Sequence, residues 1–265
     1  MTETADSPPT NFFKIILVAF PLGLIVLGAA SFVIYFNKRD KAEERSQKYA
    51  AGLREELNAG KLAHYANIVA TTASGPKAAD AMAAFIESTT GPENMGYEVR
   101  TIPYYDNAAS PIPGLGANTG SNPERRVLDI EVSGKQRRHD LVVLVTDYLP
   151  ASNSIAGLDK PKASGVPAFL GLAHASTGRS NVRSLRFVAV PDLAGLTAWA
   201  NDMRDRGDRV THLQVIGGLA ALTDTALHEA MYTANEGVVI MRPEYATLEQ
   251  ITALQTSLLD LTARQ

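Results

Sequence analysis

Cysteine is absent from this chain of 265 residues. Disulfides and thiolate metal sites are therefore excluded, while the redox compartment stays open. Charge of one sign is scarce as well. The formal net charge is −3, and no basic stripe interleaved with aromatics appears, so a nucleic-acid partner is not expected. No Gly-x-Gly-x-x-Gly or Gly-Lys-Ser phosphate loop occurs, and Gly217-Gly218 reads as a plain strand-end turn. Ser164 stands between Ala163 and Gly165 rather than in a Gly-x-Ser-x-Gly elbow, which argues against a serine nucleophile. No internal repeat is visible, and no cofactor is expected.

One long apolar run is present. Ile15 to Phe36 is 22 residues without a charge, ~33 Å as a helix and enough to cross a hydrocarbon core. Phe12 and Phe13 precede it and Tyr35 and Phe36 close it, as aromatic belts do. Pro21 and Gly23 are tolerable within a membrane helix. A cleaved signal peptide is the alternative, with Gly28-Ala29-Ala30-Ser31 as its cleavage site. The run is too long for one and continues through Phe32-Val33-Ile34. The organisation expected is a disordered tail over 1–11, a single-pass anchor over 12–36 with the lipid bilayer as partner, a charged helical stalk over 37–59 and a globular domain over 60–265. Lys14 alone precedes the span, whereas Lys38, Arg39, Lys41, Arg45 and Lys48 follow it, which argues for a cytoplasmic domain.

The globular part is arranged around Leu141 to Ala173. Leu141-Val142-Val143-Leu144-Val145 reads as a strand buried on both faces. A loop from Thr146 to Lys162 follows, and then a helix from Ser164 to about Ser176, with Ser164 as cap and Gly165 allowing close approach of helix and strand. Strands are predicted over 97–104, 126–132, 185–190, 210–217 and 237–241. The first is an edge strand because it carries Pro103. Helices are predicted from residue 62, over 77–88 with Ala79, Met82, Ala83, Phe85 and Ile86 inward, and over 192–206, 223–234 and 248–263. Residues 106–125 form a long loop rich in Gly, Pro, Asn and Ser. This alternation implies an α/β fold: a mixed, mostly parallel sheet with helices on both faces, preceded by one transmembrane helix. In such sheets functional groups gather at the carboxyl ends of the strands.

Four segments, in order, resemble the zinc-dependent aminopeptidase family that includes leucyl aminopeptidases and glutamate carboxypeptidase. They are Met95-Gly96-Tyr97-Glu98-Val99, Thr146-Asp147-Tyr148-Leu149, Ala163-Ser164-Gly165 and Asp192-Leu193-Ala194-Gly195-Leu196. The resemblance covers roughly residues 60–265 and implies the aminopeptidase-like fold. Its metal-binding positions fall on unsuitable residues. The first zinc histidine becomes Asp147, the neighbouring aspartate Leu149 and the bridging aspartate Pro161. Of the paired glutamates, the general base becomes Asp192 and the metal ligand Leu193. A later aspartate after Leu213-Gln214-Val215-Ile216 and a final histidine near Arg242-Pro243-Glu244-Tyr245 are missing. A two-zinc site needs about five converging donors. His64, His139, His174, His212 and His228 are not placed to restore it.

The expectation is therefore a domain with no catalytic or metal-binding residue, in which Asp147, Leu149, Pro161, Asp192 and Leu193 are vestigial positions. Inactive relatives such as the nicastrin and transferrin-receptor ectodomains imply a protein-interaction subunit of a membrane complex, on the extracytoplasmic side. Two alternatives stay open. Asp147 and Asp192 could form an acid pair or single-metal site of a hydrolase, against which Asp192 is an ordinary helix cap; Lys160 and Lys162 could instead neutralise Asp147. The vacated cleft could also bind peptides or small molecules without turnover.

Overall fold

The computed structural model describes residues 31–32, 35–36, 38, 45, 48–73, 77–104, 125–148, 165–232 and 237–264. The chain divides into two compact units, residues 1–48 and 49–265. In the first, the described residues are helical, and Phe32 and Phe36, one turn apart, bring their ring centroids to 4.4 Å. Most of the anchor expected over 12–36 lies outside the described residues; among those described, no helix is long and apolar enough to cross a membrane.

The second unit is built from strands β1 (Val99–Tyr104), β2 (Arg125–Val132), β3 (Gly134–Asp147), β4 (Asn181–Val190), β5 (Arg209–Ile216) and β6 (Val239–Met241). They form one sheet in the order β1-β2-β4-β3-β5-β6. β2 runs antiparallel to β1 and β4, and the other pairings are parallel. The mostly parallel sheet is as expected, and Pro103 does lie on an edge strand. The helices are α1 (Ala59–Thr72), α2 (Ala78–Thr90), α3 (Val166–Ser176), α4 (Leu193–Asp205), α5 (Asp224–Tyr232) and α6 (Leu248–Ala263).

Strand alternation sorts the core into two layers. Val142 and Leu144 of β3, with Leu185 and Phe187 of β4, face α1, α2, α3 and α6. Leu141, Val143 and Val145, with Val188 and Val190, face α4 and α5. A strand covered on both faces must be apolar at every position, and 141–145 is. On α2, Met82, Ala83 and Ile86 are buried as the helical spacing requires. α6 starts with a capping box: Gln250 N donates to Thr247 Oγ1 and Thr247 N donates to Gln250 Oε1.

Two polar stretches extend the sheet beyond its apolar signal. β3 begins at Gly134 and β4 at Asn181, and the added residues pair with each other, Gly134 with Asn181 and Arg137 with Arg183, across register shifts. Residues 49–58, the end of the segment read as a stalk, belong to the second unit. Arg54 Nε donates to Thr177 O at 2.8 Å and His174 Nε2 donates to Leu53 O at 2.9 Å, leaving His174 Nδ1 to accept from Lys61 Nζ at 3.1 Å. Burial, then the Lys61 charge, hold His174 below the usual histidine range.

Candidate functional site

β1, β3, β4, β5 and β6 all end at one edge of the sheet, and Asp147 and Asp192 lie there. Asp147 is the last residue of β3, and the chain turns after β5 directly beneath it. Gly217 adopts φ +79°, and a Cβ on it would fall 2.3 Å from Asp147 Oδ1; one on Gly218 would fall 2.6 Å from Oδ2. Both glycines are thus required to seat the carboxylate. Leu219 N donates to Asp147 Oδ1 at 3.2 Å, at the start of the 3-10 turn Gly218–Ala221. Among the described residues no lysine, arginine or histidine pairs with Asp147. Burial raises its pKa above the usual aspartate value, opposed by hydrogen bonds from the backbone of Leu219 and Gly218. Opposite, Tyr245 OH accepts from Gly217 N at 3.0 Å.

Asp192 is held differently. It is the N-cap of α4, where Oδ1 accepts from Gly195 N at 2.9 Å. The same oxygen accepts from Tyr104 OH at 2.8 Å, and Oδ2 pairs with Arg125 at the start of β2. The two carboxyl groups are consequently turned apart, Asp147 toward the turn after β5 and Asp192 toward β1 and β2. Leu193 packs against the core on the α4 side. Leu149 and Pro161, with Lys160, Lys162 and Ser164, lie outside the described residues. Gly165 behaves as expected: a Cβ there would meet Thr146 Oγ1 at 2.4 Å and Gly217 N at 2.9 Å. Tyr148 is a scaffold residue, its N donating to Val190 O and its OH to Arg126 O.

Tyr104, Arg125 and Tyr245 complete this edge, and sequence reasoning missed all three as site residues. The composition of 106–125 assigns Arg125 to the loop, whereas it opens β2. A signal did exist for Tyr104, since it ends an edge strand whose direction brings it to this side. The histidines lie elsewhere: His139 Nδ1 contacts Asp208 Oδ1 at 2.7 Å, and His212 Nδ1 contacts Thr211 Oγ1 at 3.1 Å.

No family profile matches the sequence, and no curated protein matches it. Solved structures do match the fold. A candidate Zn-dependent exopeptidase from Bacteroides vulgatus superposes with a TM-score of 0.50 at 14% identity, covering 80% of this chain and 98% of that one. A glutaminyl cyclase from an Acidobacteriales bacterium gives 0.50 at 13% identity, covering 79% and 94%. The second unit therefore has an aminopeptidase-like fold. Among the described residues no group of three His, Asp or Glu side chains could hold a metal; Asp147 Oδ1 accepts from Leu219 N, and both Asp192 oxygens accept from Tyr104, Gly195 and Arg125.

The Asp147 environment has a measurable sign. Because the folded-state pKa is raised, the folded form holds the proton more tightly than the unfolded chain. Its contribution to stability therefore grows as pH falls through the folded pKa toward the unfolded value of about 3.9. Wild type should gain Tm relative to Asp147→Asn as pH is lowered from 8 to 4. A difference constant across that range, measured by calorimetry, would contradict the burial of a charged carboxylate here.

Proposed function

We propose that this chain is a catalytically inactive aminopeptidase-like domain, anchored in a membrane through residues 12–36, that acts as a protein-interaction subunit of a membrane complex. In this reading Asp147, Leu149, Pro161, Asp192 and Leu193 are the remnants of a lost metal site, and the domain lies on the extracytoplasmic side. One observation carries the reading: both acidic groups at the strand ends are engaged in holding backbone turns. Asp147 seats the Gly217-Gly218-Leu219 turn, and Asp192 caps α4 while pairing with Arg125. Asp192, with both oxygens engaged by Tyr104, Gly195 and the Arg125 charge, is left a weak base. The uncharged 22-residue run from Ile15 to Phe36 supports the anchor.

Metal analysis and peptidase assays on the purified full chain test this. Zinc well below one equivalent and no aminopeptidase turnover are expected. Asp192→Ala should instead lower stability by about 1–2 kcal/mol through loss of the helix cap, a fall in Tm of several degrees. Stoichiometric zinc lost together with turnover in that variant would establish the single-metal hydrolase instead.

A further inference from the structure

The opposite edge of the sheet, where β3, β4 and β5 begin, carries a groove that no part of the peptidase-like reading uses. Its volume is about 170 Å³, and Lys135, Gln136, Ser180, Asn181, Val182 and Ala263 line it. Its shape comes from the irregular start of β3. Gly134 lies so close to β4 that a Cβ would fall 2.4 Å from the carbonyl carbon of Arg183. Register then shifts between Gly134 and Arg137, leaving Lys135 and Gln136 out of the ladder and over the start of β4. Bulges commonly re-aim side chains in this way. Ser184 Oγ locks the arrangement, accepting from Gly134 N at 3.0 Å and donating to Arg138 O at 2.8 Å.

The groove has an unpaired donor in its lining. Asn181 is 8% exposed, and its Nδ2 has no hydrogen-bond partner. Buried amide donors are almost always paired, so an unpaired one facing a groove calls for an acceptor. Arg183, two residues on and so on the same face of β4, has an Nε that is likewise buried and unpartnered. Lys135 forms no ion pair with the described residues, and none of the six lining residues is acidic. Beside the groove, Arg264 follows the lining residue Ala263 in sequence, and both Arg183 and Arg264 act, after burial, to hold the nearby His212 below the usual histidine range.

We propose that this groove binds a phosphate-type anion, with Asn181 Nδ2 and the Lys135 ammonium as donors and Arg183 and Arg264 reinforcing the field. A tetrahedral oxyanion offers several acceptors at once, and the Lys135 ammonium favours its charge. Free phosphate and the phosphate ester of a lipid headgroup share this chemistry. The inference is independent of whether the other edge ever holds zinc.

Thermal unfolding of the full chain in mild detergent, titrated with inorganic phosphate, tests it against sodium chloride at matched ionic strength. A saturable rise in Tm with phosphate and none with chloride is expected, as for any ligand of the folded state. Lys135→Ala, at an exposed position that should fold normally, should weaken the apparent affinity about tenfold or more by removing a charged hydrogen bond. Arg206→Ala, an exposed residue on the same edge but outside the groove, should leave the affinity unchanged. The source is separated by a second arm in lipid nanodiscs of phosphatidylcholine with or without phosphatidylglycerol. A Lys135-dependent rise confined to the phosphatidylglycerol discs assigns a headgroup, whereas a response to inorganic phosphate assigns the free anion. If chloride matches phosphate, if Arg206→Ala is as damaging as Lys135→Ala, or if neither arm depends on Lys135, the proposal fails.

Discussion

Arg186→Ala should remove about 3–5 kcal/mol of stability, because it breaks a buried ion network and strands its anions. Arg186 is 4% exposed, and its Nη1 donates to Asp129 Oδ2 at 2.9 Å while Nη2 donates to Glu131 Oε2 at 2.8 Å. Asp208 Oδ2 lies 3.9 Å from the same nitrogen. The Asp129 side chain is fully buried, and the second cation beside it, Arg100 at 3.8 Å, is itself paired with Asp202. Burial already pushes Asp129 above the usual aspartate range, against the pull of Arg186 and then Arg100.

Without Arg186 that shift increases, and its sign fixes the pH response. A raised folded-state pKa means stability recovers as pH falls, so the deficit of Arg186→Ala should be larger at pH 8 than at pH 5. Urea midpoints at the two pH values measure this. The apolar pair Arg186→Met with Asp129→Leu should regain part of the loss, that of the Asp129 pair, while Glu131 and Asp208 still lose their cation. A single variant within 0.5 kcal/mol of wild type, or a deficit independent of pH, would show that the network is hydrated. The order-of-magnitude threshold is that of an exposed pair, about 0–1 kcal/mol.

Phe187→Ala should cost a similar amount, about 3–5 kcal/mol, through cavity formation. Phe187 sits in the middle of β4 with no exposed surface, and its ring meets that of Phe169 on α3 edge-on, centroids 5.8 Å apart at 89°. Aromatic pairs in this geometry add to the burial term. For a domain of about 200 residues the loss corresponds to a fall in Tm on the order of 10 °C. Phe187→Leu, which refills most of the volume, should recover the larger part. The consequence reaches the candidate site, because α3 carries Gly165 at its start, packed against Thr146 and Gly217. If calorimetry showed the alanine and leucine variants equally stable, the ring pair would not be a close-packed centre of this layer.

The elements with an apolar period were legible before any coordinates. The run 141–145, the inward face of α2 at Met82, Ala83 and Ile86, and Pro103 on an edge strand all lie where hydrophobic pattern and proline chemistry place them. Asp192 as a helix cap was legible for the same reason, since an aspartate between strand and helix has an ordinary local role. Polar strand extensions were not. Residues 134–140 carry no apolar signal, and only their pairing with 181–183 makes them strand. The site was half legible. Sequence put Asp147 and Asp192 at neighbouring strand ends, but the direction of each carboxyl group depends on Gly217, Gly218, Tyr104 and Arg125. Those residues stand 70, 71, 88 and 67 positions away from the acid each one touches.

By itself the sequence determined the α/β class, the apolar residues of the central strand and the placing of Asp147 and Asp192 at strand ends. Those depend on local periodicity and on side-chain identity, which are properties of short stretches. Tertiary structure alone decided that Asp147 and Asp192 face away from each other, that residues 49–58 pack onto the domain, and that Lys135 and Asn181 share a groove. Each of these is a contact between segments far apart in the chain. No local pattern encodes it; the sheet order and the close approach allowed by Gly134, Gly165 and Gly217 do.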